Sequence, residues 1–171
     1  MIRAVQYRSF GGPDVLEMVD APIQEPGDRE VRVVVKAAGL NPMDEKVFEG
    51  SRALRVVGFI DALSKPAQWF SPSFPKRVGR DFAGIVDAVG SRVDGFTVGD
   101  TVLEALRGAP GTRTKCGSLA ERLVVTVEDV VHKPEPLSYE SAAALGVAAR
   151  TACGALRELD VQSSDIIVIS A

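Results

Sequence analysis

The stretch from Gly79 to Val102, GRDFAGIVDAVGSRVDGFTVGDTV, decides the fold class of this 171-residue chain. Two apolar runs of strand length, Phe82 to Val89 and Val98 to Leu103, lie among the glycines Gly79, Gly84, Gly90 and Gly99. Glycine at such points lets a chain bend sharply or lets another backbone come close. Asp100, directly after Gly99, reads as a turn residue. Upstream, Glu30 to Lys36 (EVRVVVK) sets Val31, Val33 and Val35 on one face and Arg32 and Lys36 on the other, the alternation of a half-buried strand. Weaker strands are expected at Ala4 to Tyr7 and Val15 to Val19, split by the turn Gly11-Gly12-Pro13. Ser118 to Thr126 reads as another strand, and Pro22 to Asp28 as a loop. Pro42 opens a short helix that continues over Met43 to Glu49 and stops at Gly50. Short strands broken by Gly, Pro and Asp predict a mainly β barrel over residues 1–133.

The character changes after residue 133. Ser138 is placed to cap a helix, with Glu140 in its first turn. Leu145, Ala149, Ala152, Leu156 and Leu159 follow helical spacing, and Gly146 and Gly154 leave open whether one helix or two run to Leu159. Asp165 to Ala171, DIIVISA, is almost wholly apolar without alternation, as expected of a strand covered on both faces in a parallel sheet. Such a strand needs a crossover and a neighbour. The chain is therefore expected to be a truncated piece, with completion of the sheet by another polypeptide as the alternative.

Composition narrows the function classes. At 46% hydrophobic residues the chain can bury a core. Charged residues make up 25% and the net charge is −3, which gives no basic bias toward nucleic acid. No apolar run is long enough to span a membrane, and MIRAVQYRSF lacks the apolar core of a secretory signal. Cys116 and Cys153 are the only cysteines, too few for a disulfide framework, so a cytoplasmic setting is the default.

Several blocks occur together: AAGLNPMD (37–44), GRDFAG (79–84), Val89-Gly90 with Val93, Phe96, Val98-Gly99-Asp100 and Val102, GSLAERLVV (117–125), Ser138 to Leu145, and RTACGAL (150–156). In this order they resemble the zinc-independent, quinone oxidoreductase branch of the medium-chain dehydrogenase/reductase superfamily. The resemblance implies a GroES-like substrate-side domain at residues 1–133 and the start of a nucleotide-binding Rossmann domain at 134–171. It also implies hydride transfer with NADPH as cofactor, to a small-molecule quinone or α,β-unsaturated carbonyl. The glycine-rich turn that carries the pyrophosphate, and a return segment that completes the barrel, would lie beyond Ala171. The chain alone is thus expected to be inactive. A non-catalytic GroES-like binding or assembly module is the alternative, since a fold of this kind hosts several functions.

The zinc-dependent relatives hold their catalytic metal through Cys, His and Cys, and those positions fall here at Asn41, Arg80 and about Val147, none a suitable ligand. The structural zinc loop needs four cysteines, and only Cys116 falls in that region. His132, the one histidine, reads as a surface residue beside a strand end. No metal is expected. Without a Lewis acid, alkoxide stabilisation is lost. An enolate or phenolate oxygen, by contrast, can be held by hydrogen-bond donors alone.

By the same resemblance Asn41 lies near the nicotinamide and the substrate, where its amide can donate and accept at once, with a turn residue before Pro42 as the plain alternative. Asp44 orients the loop or takes a direct chemical part. Lys46 donates to a carbonyl, pairs with a phosphate, or stands solvated on its helix. Thr151 meets the carboxamide of the cofactor or bonds its own helix backbone. Arg80 and Asp81 form a structural ion pair, or Arg80 lines the cleft. Finally, the segment from Ser51 to Arg77 is long and basic and carries Trp69, Phe70 and Phe74 among Pro66, Pro72 and Pro75. It offers a hydrophobic pocket wall, a homodimer contact, or an ordinary loop packed on the barrel.

Overall fold

A computed structural model describes residues 1–51, 74–105 and 117–169. The strands follow the alternation that the sequence sets out. Strand β1 is Ile2–Tyr7 and β2 is Leu16–Ala21, the latter entered through a 3-10 turn at Pro13–Val15. Strand β3, Glu30–Gly39, is the longest, and helix α1, Pro42–Phe48, follows it with Pro42 in its first turn. The short β4 (Lys76–Arg77) precedes β5 (Asp81–Val89) and β6 (Thr101–Ala105). Then come β7 (Arg122–Thr126) and β8 (Val131–His132). Two helices close the described chain, α2 at Tyr139–Ala143 and α3 at Gly146–Glu158. The Ser138 hydroxyl caps α2 by accepting from the Ser141 N–H at 3.1 Å. Val98 to Asp100, expected as the start of a strand, forms the turn into β6 instead, with Asp100 Oδ2 accepting from the Thr97 N–H at 2.7 Å.

All the strand pairs are antiparallel, in the orders β2-β1-β4 and β7-β3-β5-β6-β8. The expected barrel is corrected to this extent: among the described residues there are two open sheets and no closed barrel. Closure would require a continuous ladder from the last strand back to the first. The two sheets meet instead at the single bridge Ala4–Ala120, flanked by hydrogen bonds from Val5 N–H to Leu119 O (2.8 Å) and from Glu121 N–H to Arg3 O (3.0 Å).

The main core lies on the inner face of the larger sheet. Val31 and Val33 from β3, Phe82 and Val86 from β5, Val102 from β6, and Leu123 and Val125 from β7 pack together with Val130. These are alternate positions on their strands, which is why the period-two pattern was legible. Two glycines are required by contacts. A Cβ at Gly84 would stand 2.2 Å from the Val34 carbonyl oxygen, so β3 and β5 could not pair as they do. Gly79 has φ +92° and would set a Cβ 2.4 Å from Ser118 Oγ.

A second cluster joins Tyr7, Phe48 and Val78 between the smaller sheet and α1. Phe74 meets Tyr7 edge-on with ring centroids 5.7 Å apart, and Phe10 at 5.1 Å. The described end of the 51–77 segment therefore packs on the sheet. Trp69, Phe70, Pro66 and Pro72 lie outside the described residues, as does Cys116. Among the described residues no helix is long and apolar enough to cross a membrane.

The strand expected at Asp165 to Ala171 does not form over its described residues, 165–169. Among the described residues, 165–169 pair with no strand, and Ile166, Val168 and Ile169 are almost fully exposed. Apolar sequence alone does not make a strand, because the ladder needs a neighbouring backbone to bond with. The apolar stripe of α3 is exposed too, at Leu156 and Leu159.

Candidate functional site

The ends of three elements converge on one carboxylate. Strand β3 runs out at Gly39, opposite Asp81, the first residue of β5. The chain then turns at Asn41, whose backbone is extended, before α1 begins. Asp81 is buried, with only 1% of its surface exposed. Its Oδ2 accepts from Asn41 Nδ2 at 3.0 Å and from the Val147 N–H at 3.1 Å. The second contact puts a negative charge in the first turn of α3, where unpaired N–H groups and the helix dipole favour it. Asp81 thus caps α3 from a different strand and holds Asn41 at the same time. Its Oδ1 is buried with no hydrogen-bond partner among the described residues.

The Asn41 amide is oriented by this contact. A carboxylate only accepts, so the amide nitrogen must face Asp81. One of its hydrogens is committed there, while the side-chain oxygen faces the Asp44 N–H in a capping box and the amide also interacts with the Asp44 carboxylate. Asp44 stabilises the same turn: its Oδ2 accepts from the Asn41 N–H at 2.8 Å. Burial pushes the Asp44 carboxyl above its usual range; the Asn41 backbone bond pulls it down, nearby Asp81 raises it further and Arg80 opposes that rise. Arg80, half-buried, therefore contributes its charge to this cluster.

The remaining predicted residues stand apart from these bonds. Lys46 is exposed on α1 and makes no side-chain hydrogen bond or ion pair among the described residues. Thr151 lies one turn along α3 from Val147 and donates its hydroxyl to the Val147 carbonyl at 2.8 Å. His132 stacks on Phe96 with ring centroids 4.5 Å apart, its Nε2 3.0 Å from Gly95 O, at an exposed strand end.

Sequence reasoning gave Asp81 a pairing role with Arg80 and missed it as the shared acceptor. It also missed the ion pair from Arg150 Nη1 on α3 to the nearly buried Glu104 of β6, 3.1 Å. The available signal was an acidic residue at a strand position that alternation assigns to the interior; its partners were not readable.

The arrangement is a donor-and-acceptor amide fixed at the junction of a β domain and a helix start. The alcohol dehydrogenase GroES-like domain family matches residues 27–135. The chain is 36% identical over 145 residues to a quinone oxidoreductase from Pseudomonas aeruginosa, covering 85% of this chain and 37% of that protein. Among solved structures, the quinone oxidoreductase from Coxiella burnetii superposes with a TM-score of 0.76 at 31% identity, over 96% of this chain and 47% of that one. The Escherichia coli quinone oxidoreductase complexed with NADPH superposes at 0.69 with 26% identity, over 92% and 41%. The chain belongs to the medium-chain dehydrogenase/reductase superfamily of oxidoreductases, in its quinone oxidoreductase-like branch. It spans less than half the length of these relatives.

Proposed function

We propose that residues 1–133 are the substrate-side domain, and 134–171 the start of the nucleotide-binding domain, of an NADPH-dependent, zinc-independent oxidoreductase that reduces quinones or α,β-unsaturated carbonyls. The observation that carries this reading is the clamped Asn41 amide. Of the three positions where zinc relatives carry ligands, Asn41 and Val147 bond the same Asp81 carboxylate and Arg80 is its chain neighbour. An amide turned by its nitrogen, a cation and an apolar residue do not suit zinc. They suit the holding of a carbonyl oxygen.

The residues also fit a nicotinamide cofactor. The Asn41 amide has a second N–H beyond the one given to Asp81, and the Thr151 hydroxyl, having donated to Val147 O, keeps its lone pairs as acceptors. When bound, NADPH supplies the hydride. In this reading Asn41 donates its second N–H to the oxygen that gains charge, where a pre-oriented donor needs little rearrangement. Asp81 holds that amide in place, and Asp44 keeps the turn closed. Lys46, solvated and cationic, meets a substrate carbonyl or a cofactor phosphate.

The test is NADPH oxidation with 9,10-phenanthrenequinone. The 171-residue chain alone should give no measurable turnover. The polypeptide encoded by the reading frame continued past residue 171 should turn over, unaffected by a zinc chelator. There Asn41→Ala should lower kcat/KM by about 100-fold, as expected for one lost oxyanion donor at the smaller end of measured effects. Robust activity of the short chain, inactivation by the chelator, or an unchanged kcat/KM would each contradict the reading.

A further inference from the structure

A second polar constellation lies far from Asn41, at the opposite end of β3. On the outer face of the larger sheet, Asp87 of β5 accepts from Arg32 Nε at 2.7 Å and from Arg122 Nε at 2.8 Å. Two guanidinium groups thus share one half-buried carboxylate. Glu25 meets part of the charge left over, its Oε1 accepting from Arg32 Nη1 at 2.8 Å while its side chain remains 79% exposed, and Glu121 lies close enough to Arg122 to feel its charge. Arg32, in contrast, is only 15% exposed. Among the described residues, Arg32 Nη2 and both Nη atoms of Arg122 make no hydrogen bond.

These groups line a cavity of about 110 Å³. Arg77 and Gln24 add polar atoms, while Ile2 and Pro22 supply apolar wall. A partly desolvated guanidinium with unused N–H groups, facing an open cavity with apolar sides, is matched by a planar acceptor carrying a small hydrocarbon body. Arginine's fork fits a carboxylate by two parallel bonds. Glu25 already places a carboxylate on Arg32 from the solvent side, and an exposed pair of that kind is weak.

We propose that this cavity binds a small organic carboxylate, which takes the place of Glu25 on Arg32 and engages Arg122, with its apolar body against Ile2 and Pro22. The site is independent of the oxidoreductase reading: it shares no residue with the Asn41–Asp81 cluster.

The test is titration of the full chain with sodium isobutyrate, followed by amide chemical shifts. Isobutyramide serves as the uncharged control and inorganic phosphate as an anion without an apolar body. The expected result is saturable binding, about millimolar for so small a ligand, with shifts confined to residues 2, 24, 32 and 120–124. Arg122→Gln should weaken it at least tenfold, in line with loss of charge-assisted bonds. Glu25→Gln should do the reverse and tighten it about 2- to 5-fold, by removing the competing carboxylate. Because Glu25 is exposed, that variant tests the idea even where Arg122→Gln disturbs folding. Shifts scattered over the surface, equal binding of isobutyramide or phosphate, or weaker binding by Glu25→Gln would overturn the proposal.

Discussion

Asp81→Ala removes the one acceptor that joins β5, the turn before α1 and the start of α3. Two bonds to a carboxylate are lost, from Asn41 Nδ2 at 3.0 Å and the Val147 N–H at 3.1 Å. Hydrogen bonds to charged groups contribute about 1.5–3 kcal/mol each, so the gross loss is about 3–6 kcal/mol. Against this stands relief of a buried carboxylate whose Oδ1 has no partner among the described residues, which offsets about 1–3 kcal/mol. The net expectation is a loss of about 2–3 kcal/mol, a fall in Tm of about 4–12 °C for a chain of this size. Thermal unfolding followed by circular dichroism reads the total. Hydrogen exchange reads the cause, since the Val147 amide should lose protection while amides of the β3–β5 ladder away from Asp81 keep theirs relative to global stability. Asp81→Asn, which keeps one acceptor oxygen, should cost less than Asp81→Ala. A Tm unchanged within 1 °C with Val147 protection intact would refute the assignment of Asp81 as the shared acceptor.

Other substitutions follow from the same structure. The Tyr7 hydroxyl is buried without a hydrogen-bond partner among the described residues, and burial raises its pKa to about 12; Tyr7→Phe should therefore raise Tm by about 2–4 °C through loss of a desolvation cost near 1 kcal/mol. Asp44 binds its proton more tightly folded than unfolded. The cost of ionising it is absent below the unfolded carboxyl value, near 4, and grows as pH rises through the folded one. Asp44→Asn keeps an acceptor for the Asn41 N–H, so the Tm difference, variant minus parent, should be larger at pH 7 than at pH 4 by thermal melts in matched buffers. Thr151→Val removes an exposed hydroxyl bonded to its own helix, so stability should change by less than about 0.5 kcal/mol. In an NADPH-competent polypeptide the same change should raise KM for NADPH about 3- to 10-fold, the size of one neutral hydrogen bond.

The strand alternation of EVRVVVK, the glycines within Gly79 to Val102 and the cap at Ser138 were determined by sequence alone, because each rests on contacts with near neighbours or on a period of two. The strand expected at DIIVISA was not, because pairing belongs to a neighbour rather than to the segment. Nor could composition say how the two sheets meet: among the described residues they do so at the bridge Ala4 to Ala120, between residues distant in the chain. The same holds at both polar sites. Asn41 and Val147 meet Asp81 across 40 and 66 positions, and Arg32 meets Asp87 across 55. No local pattern encodes such meetings. They arise only when the twisted, hydrogen-bonded sheet fixes its register and brings the ends of β3, β5 and α3 to one point in space.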